Sequence, residues 1–222
     1  MRKIILCLAL QFIIADKLPN DVRWVRESNE YKSLCYQIYA NATTNLNQLA
    51  AANPYSLNNK DLSNYAIVMD LDETVLDNSQ YQVELLDKNE SFNMTSWAKW
   101  VNREEAKLVP GAKEYIDVVR SYGIQLIFIS NRMDERLNAT INNMKILDIY
   151  SDSDIFLLRK DKKDKKTVRR NEIYNSTGRM SNYNKYTVIQ YLGDAMGDFP
   201  SYDSKQFSID QYIFPNPMYG KW

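Results

Sequence analysis

Short apolar runs that end in polar residues constrain the fold of this chain more than any other feature. Residues 66–69 are all apolar and lead directly into Asp70, and the largely apolar residues 124–129 lead in the same way into Ser130. Runs of this length are typical of strands buried in a parallel sheet. The sequence predicts two further strands, at residues 156–158 and at residues 186–192, which precede Gly193 and Asp194.

Helical patterns lie between these predicted strands. They cover residues 111–122, residues 134–147, and a basic segment that runs to about residue 174. Strands that alternate with helices predict an α/β fold, in which helices cover both faces of a parallel sheet. Ligands bind at the carboxyl ends of the strands in such sheets, so we expect Asp70, Ser130 and Asp194 to meet at one edge.

The length of the chain, 222 residues, fits one domain with a small appendage. Apolar residues recur at three- and four-residue steps over residues 31–49, which predicts an amphipathic helix within an N-terminal flank of about residues 20–60. Residues 77–109 are too many for a plain loop, so we expect a small helical cap there. The main domain is therefore assigned to residues 16–222.

A basic start, Met-Arg-Lys, precedes an apolar run over residues 4–15. This run is too short to span a bilayer but suits a signal peptide, so residues 1–15 predict export to the cell surface, the periplasm or the medium. The alternative is a buried first helix. Cys7 lies inside the run without a lipobox, and its removal would leave Cys35 without a disulfide partner.

The composition excludes several kinds of site. The chain has no histidine, which rules out Ser-His-Asp and Cys-His catalysis and every histidine-bound metal. The sixth residue after Cys35 is Asn41, so a Cys-x5-Arg phosphate loop is absent. Basic and acidic residues both number 28, so no global field favours a nucleic-acid polymer or an anionic membrane as partner. Any anion site must be local.

The first strand candidate ends in a pair of carboxylates, Asp70 and Asp72. Phosphoryl transfer needs an in-line nucleophile, positive charge on the phosphoryl oxygens and a proton for the leaving group. A carboxylate at a strand end can attack phosphorus and form an aspartyl-phosphate, with its other oxygen on a metal ion. Asp72 can reach the leaving group, so the pair supplies two of the three parts.

Each of the remaining candidates also has a purely structural interpretation. Ser130 could cap the helix that follows it, and Asp194 and Asp198 could be turn residues after Gly193. The basic run from residue 159 to residue 170 could be a solvated helix face. Their positions after buried strands favour function, because a metal-bound Asp70 needs further carboxylates at the same edge.

Several motifs follow one another in a fixed order along the chain. They are Asp70-Leu71-Asp72-Glu73-Thr74 with Asp77-Asn78-Ser79-Gln80-Tyr81, Trp97 and Trp100, Ser130-Asn131-Arg132, Lys166 with Arg169-Arg170, Gly193-Asp194 with Asp198, and Pro215-Asn216-Pro217-Met218-Tyr219-Gly220. From about residue 30 onwards the chain resembles the bacterial class C acid phosphatases, which include lipoprotein 5'-nucleotidases of the haloacid dehalogenase (HAD) superfamily. The resemblance implies a HAD-like Rossmannoid sheet.

The resemblance also implies roles for individual residues. Asp70 would be the nucleophile, Asp72 the proton donor and acceptor, Ser130 a ligand of the phosphoryl oxygens, and Lys166 the stabiliser of their charge. Lys163 or Lys165 could replace Lys166 in the basic run. A Mg²⁺ cofactor would be held by the Asp70 carboxylate, the backbone carbonyl of Asp72 and the carboxylate of Asp194. Asp198 would lie in the layer behind these ligands.

Asn131 and Arg132 are assigned to substrate binding on the same resemblance, as are Tyr81 and Tyr219, whose rings would stack on a base. The implied substrates are small phosphate monoesters such as nucleoside 5'-monophosphates. Two departures from the family pattern, Gln80 and Ala195, remove no ligand. The alternatives are a dehalogenase, which would leave Asp72 idle, and a non-catalytic nucleotide-binding or storage protein on the same scaffold.

Overall fold

The computed structural model describes residues 18–52 and 62–220. The predicted signal peptide and the end of the predicted N-terminal flank lie outside these residues. The helices are α1 (Asn20–Glu27), α2 (Asn29–Ala52), α3 (Ser79–Asp87), α4 (Met94–Val101), α5 (Ala112–Ser121), α6 (Leu137–Ile146) and α7 (Lys166–Asn175). The strands are β1 (Tyr65–Met69), β2 (Leu76–Asp77), β3 (Lys107–Leu108), β4 (Gln125–Met133), β5 (Ile155–Arg159), β6 (Thr187–Gly193) and β7 (Gln211–Ile213).

The main sheet has five strands in the order β5-β4-β1-β6-β7, and every pair in it is parallel. The prediction of an α/β fold with a parallel sheet is confirmed, and β1, β4, β5 and β6 are the strands predicted from sequence. β7 was not predicted. Because β1 lies at the centre, the residues that follow it are flanked on both sides by the ends of β4 and β6.

Alternate residues of β1 belong to two different hydrophobic cores. Ile67 and Met69 pack with residues of α2 and α5, whereas Ala66 and Val68 pack with Ile173 of α7. Successive side chains of a strand point to opposite faces, so helices cover both faces of the sheet. The structure thereby confirms the predicted layering.

Helix α2 follows the predicted amphipathic pattern on one face. Tyr31, Cys35 and Tyr39 are buried, whereas Leu34 and Leu49, at the margins of the predicted apolar face, are 40% and 39% exposed. The hydroxyl of Tyr39 donates a hydrogen bond of 2.6 Å to the backbone carbonyl of Thr74. The long helix is therefore fastened to the loop that follows β1.

The segment predicted as a cap contains α3 and α4. A short antiparallel ribbon of β2 and β3 joins the two ends of this segment, with Leu76 opposite Leu108. The rings of Tyr81, Trp97 and Trp100 pack together between the two helices. None of the helices in residues 18–52 and 62–220 is both long and apolar enough to cross a membrane.

Candidate active site

The site begins where β1 ends. The backbone N–H of Asp70 donates to the carbonyl of Leu192 on β6 at 2.9 Å, which fixes the position of Asp70 beside that strand. Ser130 lies on β4, and Asp194 directly follows β6. Since β4 and β6 are the two neighbours of β1, the three residues lie at the same carboxyl edge of the sheet, as expected.

Three carboxylates converge at this edge. Oxygen atoms of Asp70, Asp194 and Asp198 all lie within 4.8 Å of one another. Burial and the neighbouring carboxylates raise the pKa of Asp70 well above its ordinary value, although Lys166 opposes the shift. Burial and Asp198 raise the pKa of Asp194 to about 6. Mg²⁺ binds closely spaced oxygen ligands, and a divalent cation would offset the repulsion between these three carboxylates. The residues therefore fit a metal site.

Lys166 brings positive charge to these carboxylates. Its side chain is 9% exposed, its Nζ lies 2.6 Å from Oδ1 of Asp70, and it donates a hydrogen bond to Oδ1 of Asp198. Burial favours the neutral amine, but the two carboxylates outweigh it and hold the pKa of Lys166 above its ordinary value. Lys163 and Lys165, the two alternatives from the sequence, are exposed to solvent. Of the three lysines, Lys166 is the one that the structure places beside Asp70.

Gly193 makes room for Asp198. A Cβ atom added at Gly193 would overlap the side chain of Asp198, so only glycine permits this approach. Oδ2 of Asp198 accepts a hydrogen bond of 2.9 Å from the backbone N–H of Ala195, and Arg170 donates to the carbonyl of Gly197 at 2.8 Å. The turn that carries Asp198 is thus held from both ends.

Asp194 has a partner that sequence reasoning missed. Nδ2 of Asn216 donates a hydrogen bond of 2.7 Å to Oδ2 of Asp194. The backbone N–H of Met218 donates to Oδ1 of Asn216 at 3.1 Å, which fixes the orientation of the amide. Asn216 belongs to the C-terminal motif of residues 215–220, and nothing else in the sequence indicated that it has a role in the site.

Ser130 and its neighbours are tied to both β5 and α7. Arg169, which is fully buried, donates to the carbonyls of Ser130 and Leu157 and to Oδ1 of Asn131. The hydroxyl of Ser130 donates to Oδ2 of Asp72 at 3.3 Å. Asn131 itself is exposed. Strand β4 thus presents Asn131 to solvent and the hydroxyl of the preceding residue, Ser130, to Asp72.

Asp72 lies outside the cluster of three carboxylates. Its Oδ1 accepts hydrogen bonds from Arg132, which is 1% exposed, and from Asn78, which is fully buried. The two aspartates of the motif therefore face different surroundings, although a single residue separates them.

The two tyrosines assigned to substrate stacking are placed differently. Tyr81 is 2% exposed, its hydroxyl is hydrogen-bonded to that of Ser96, and its ring centroid lies 5.2 Å from that of Trp97. Tyr219 is 37% exposed. The structure packs Tyr81 into the cap aromatics and leaves Tyr219 accessible, and the substrate-binding roles of both residues stay predictions.

A parallel sheet whose central strand ends in Asp-x-Asp, with a lysine and two further carboxylates at the same edge, defines a HAD-like protein. The sequence matches the HAD superfamily, subfamily IIIB (acid phosphatase), over residues 9–222. That match spans the whole candidate site, and the chain belongs to this family.

Two solved structures share the fold. Both are class C acid phosphatases from Bacillus anthracis, one of them with tungstate bound, and both are 29% identical to this chain. The alignments cover 90% of this chain and 84% of the other, with TM-scores of 0.74 and 0.76. The predicted resemblance to class C acid phosphatases of the HAD superfamily is confirmed.

Two curated relatives come from Glycine max. The stem 31 kDa glycoprotein is 25% identical over 162 residues, and the stem 28 kDa glycoprotein is 26% identical over 155 residues. The alignments cover 70% and 68% of this chain but 59% and 58% of the relatives. The chain thus spans about three fifths of the length of the curated relatives it matches.

Proposed function

We propose that the chain is a magnesium-dependent acid phosphatase that hydrolyses phosphate monoesters through an aspartyl-phosphate on Asp70. One observation carries this proposal: the buried carboxylate of Asp70 lies 2.6 Å from Lys166 and within 4.8 Å of the oxygens of Asp194 and Asp198. A nucleophile, a cation and a set of metal ligands thus share one edge of the sheet. They would supply two of the three parts that phosphoryl transfer needs, and Asp72 would supply the third, a proton for the leaving group.

The residues divide the reaction among them. The Asp70 carboxylate attacks phosphorus as the ester bond breaks, and Asp72 gives a proton to the departing alkoxide. Water then attacks the aspartyl-phosphate, Asp72 takes its proton, and inorganic phosphate leaves. Lys166, aligned by Asp198, offsets the charge on the phosphoryl oxygens throughout. Magnesium held by the side chains of Asp70 and Asp194 and by the backbone carbonyl of Asp72 would supply further positive charge.

We propose nucleoside 5'-monophosphates as the substrate class. The exposed ring of Tyr219 supports this choice, because an aromatic face can stack on any base. The name of one similar structure, a class C acid phosphatase with tungstate bound, supports an oxyanion site in that relative. In this chain Ser130 and Asn131 lie towards the end of β4 and Lys166 begins α7, and these three residues are the ones that would bind an oxyanion.

A phosphate-release assay tests the proposed function. Nucleoside monophosphates, sugar phosphates and aryl phosphates are each incubated with the protein in chelator, and Mg²⁺ is then added in excess. We expect no turnover in chelator and full recovery with Mg²⁺. Full activity in excess chelator would contradict the metal site, and tight binding of a nucleotide without phosphate release would favour a binding or storage protein.

We further propose that the protein is exported and that residues 16–222 form the mature domain. The basic start and the apolar run over residues 4–15 support this proposal, as do the names of the Glycine max relatives, which call them glycoproteins. Sequencing the N-terminus of protein recovered outside the cytoplasm tests it, since cleavage near residue 15 is expected and an intact N-terminus would contradict it.

A further inference from the structure

Asp72 is held by residues that do not belong to the cluster of three carboxylates. The side chain of Asp72 is 16% exposed, and its Oδ1 accepts from Nε of Arg132 at 2.9 Å and lies 2.8 Å from Nη2 of the same residue. Nδ2 of Asn78 donates to that oxygen as well, at 3.0 Å. Three N–H donors therefore surround one carboxylate oxygen.

Arg132 has its donors occupied by the protein. Besides Asp72, its guanidinium donates to Oδ1 of Asn78 at 3.2 Å and to Oγ1 of Thr140 at 3.3 Å. The group also lies 5.8 Å from the ring centroid of Trp97, over one face of the indole. Arg132 is therefore held by protein partners beside Asp72.

The orientation of the Asn78 amide is fixed by four neighbours. Its Oδ1 accepts from Nε1 of Trp100 at 2.8 Å and from Arg132, two groups that can only donate. Its Nδ2 faces Oδ1 of Asp72 and the carbonyl of Leu76 at 3.1 Å, two groups that can only accept when the carboxylate is ionised. A flipped amide would break all four contacts, so Asn78 always presents N–H to Asp72.

Trp100 connects this arrangement to the cap. It lies on α4, is 2% exposed, and packs on Tyr81 of α3 with ring centroids 6.3 Å apart. Its indole N–H reaches Asn78, which reaches Asp72 in turn. The position of α4 is thereby linked to the side-chain rotamer of Asp72 through a single amide.

We propose that Trp100, Asn78 and Arg132 are positioning residues that hold Oδ1 of Asp72, so that Oδ2 is the oxygen that exchanges a proton with the leaving group. This inference rests on the proposed phosphatase function. Oδ1 accepts hydrogen bonds from Arg132 and Asn78 and lies 2.8 Å from Nη2 of Arg132, whereas among the described residues Oδ2 accepts one hydrogen bond, that of 3.3 Å from Ser130. In the forward step the O–H bond of Oδ2 breaks as the ester oxygen takes the proton; in hydrolysis of the aspartyl-phosphate, Oδ2 takes a proton from water.

Trp100→Phe tests the inference because it removes the indole N–H but keeps an aromatic ring in the cap. We expect kcat on an alkyl phosphate to fall roughly tenfold, a part of the 10² to 10⁴ that general acid catalysis supplies. Turnover of 4-nitrophenyl phosphate, whose leaving group needs no proton, should hardly change, and KM and Mg²⁺ affinity should be retained. Arg132→Lys, which keeps the charge but loses the paired donors, should show the same selectivity with a larger loss.

Two controls separate this role from general damage. Trp24→Phe makes the same chemical change on α1, where the indole packs edge-on against Tyr31, and should leave both substrates unaffected. In an Asp72→Asn background, Trp100→Phe and Arg132→Lys should cause no further loss, since they act through Asp72.

Equal losses on both substrates, additive losses in the Asp72→Asn background, or no loss from either variant would overturn the inference. If Trp100→Phe fails to fold, Arg132→Lys carries the same test. Absence of turnover by the wild-type protein on every phosphate ester would refute the proposed function and this inference with it. An active wild type with unselective variants would refute the inference alone.

Discussion

Asp70 and Asp72 are separated by one residue, yet they belong to two different regions of the protein. Asp70 faces carboxylates and the ammonium of Lys166, and burial raises its pKa well above the ordinary value. Asp72 instead contacts Arg132 of β4 and Asn78, which both donate to one of its oxygens. The comparison teaches that two residues of the same type have surroundings that suit the two different roles proposed for them, nucleophile and proton carrier.

The largest expected effect comes from removing the nucleophile. Asp70→Asn keeps the size of the side chain but cannot attack phosphorus, so we expect turnover to disappear for every substrate, whatever its leaving group. Steady-state phosphate release measures this. Circular dichroism should show an intact fold, and measurable turnover by the purified variant with a good leaving group would contradict the assignment.

Replacing the proton carrier should give a selective loss. Asp72→Asn should slow transfer from poor leaving groups by about 10² to 10⁴, because the departing alkoxide is no longer protonated. The loss should shrink for an aryl phosphate with an activated phenol. Rates measured across a series of leaving groups test this, and an equal loss across the series would mean that Asp72 has a structural role.

Asn216 contacts Asp194, one of the proposed metal ligands. Asn216→Ala removes the hydrogen bond to Asp194, and we expect Mg²⁺ affinity to fall by about 10-fold to 100-fold, the usual effect of losing a partner of a metal ligand. Calorimetric titration of Mg²⁺ measures this without turnover. Asn142→Ala is the matched control, since its amide also donates to a carboxylate, that of Glu104 at 3.0 Å, on the exposed surface. Unchanged affinity in Asn216→Ala would contradict the role.

The smallest expected effect concerns the loop between β5 and α7, which leads into Lys166. Arg179 donates to both oxygens of Asp164, and although burial opposes it, this contact and the Lys160 N–H hold the pKa of Asp164 below its ordinary value. A lowered carboxyl pKa stabilises the fold above the unfolded pKa, and this stability is lost as the pH falls through the folded pKa. Arg179→Ala should therefore cost about 1 to 3 kcal/mol near neutral pH. The cost should shrink as the pH falls through the folded pKa values of Asp164 and of Glu172, which Arg179 also contacts and whose pKa, although burial opposes it, Arg179 also lowers.

Denaturant unfolding at several pH values measures this difference. Arg103→Ala, which removes an arginine that is 39% exposed and paired with Glu84, is the control and should cost less than about 1 kcal/mol. A cost for Arg179→Ala that does not depend on pH would show that neither Asp164 nor Glu172 is the group involved. Any loss of activity should be the same for all leaving groups, because the loop leads into Lys166, which lies beside Asp70 and not beside Asp72.

The sequence predicted the parts of the fold whose signal is local. Buried strands read as apolar runs, and the ends of β1, β4 and β6 brought Asp70, Ser130 and Asp194 together. Strand β7 has only three residues, Gln211–Ile213, and lies at the edge of the sheet beside β6, so no pattern of its own marked it. The prediction of helices on both faces succeeded because the alternation of elements fixes it.

The directions of side chains and their long-range partners could not be predicted from the sequence. Arg132 follows Ser130 by two positions, and both side chains are buried, whereas Asn131 between them is exposed. Successive side chains of a strand point to opposite sides, which explains this alternation of burial. Only the folded structure shows that Ser130 and Arg132 are on the side where Asp72 lies. The link from Trp100 to Asn78 spans 22 positions, so nothing local marks it.

The most direct test of the central claim is to trap the intermediate on Asp70. The protein is mixed with substrate and Mg²⁺, quenched within one turnover, and treated with borohydride, which reduces an aspartyl-phosphate to homoserine. Peptide mass spectrometry should find homoserine at position 70 in the wild type and in Asp72→Asn, and none in Asp70→Asn. Homoserine at another aspartate, or steady phosphate release with residue 70 always unmodified, would contradict the account.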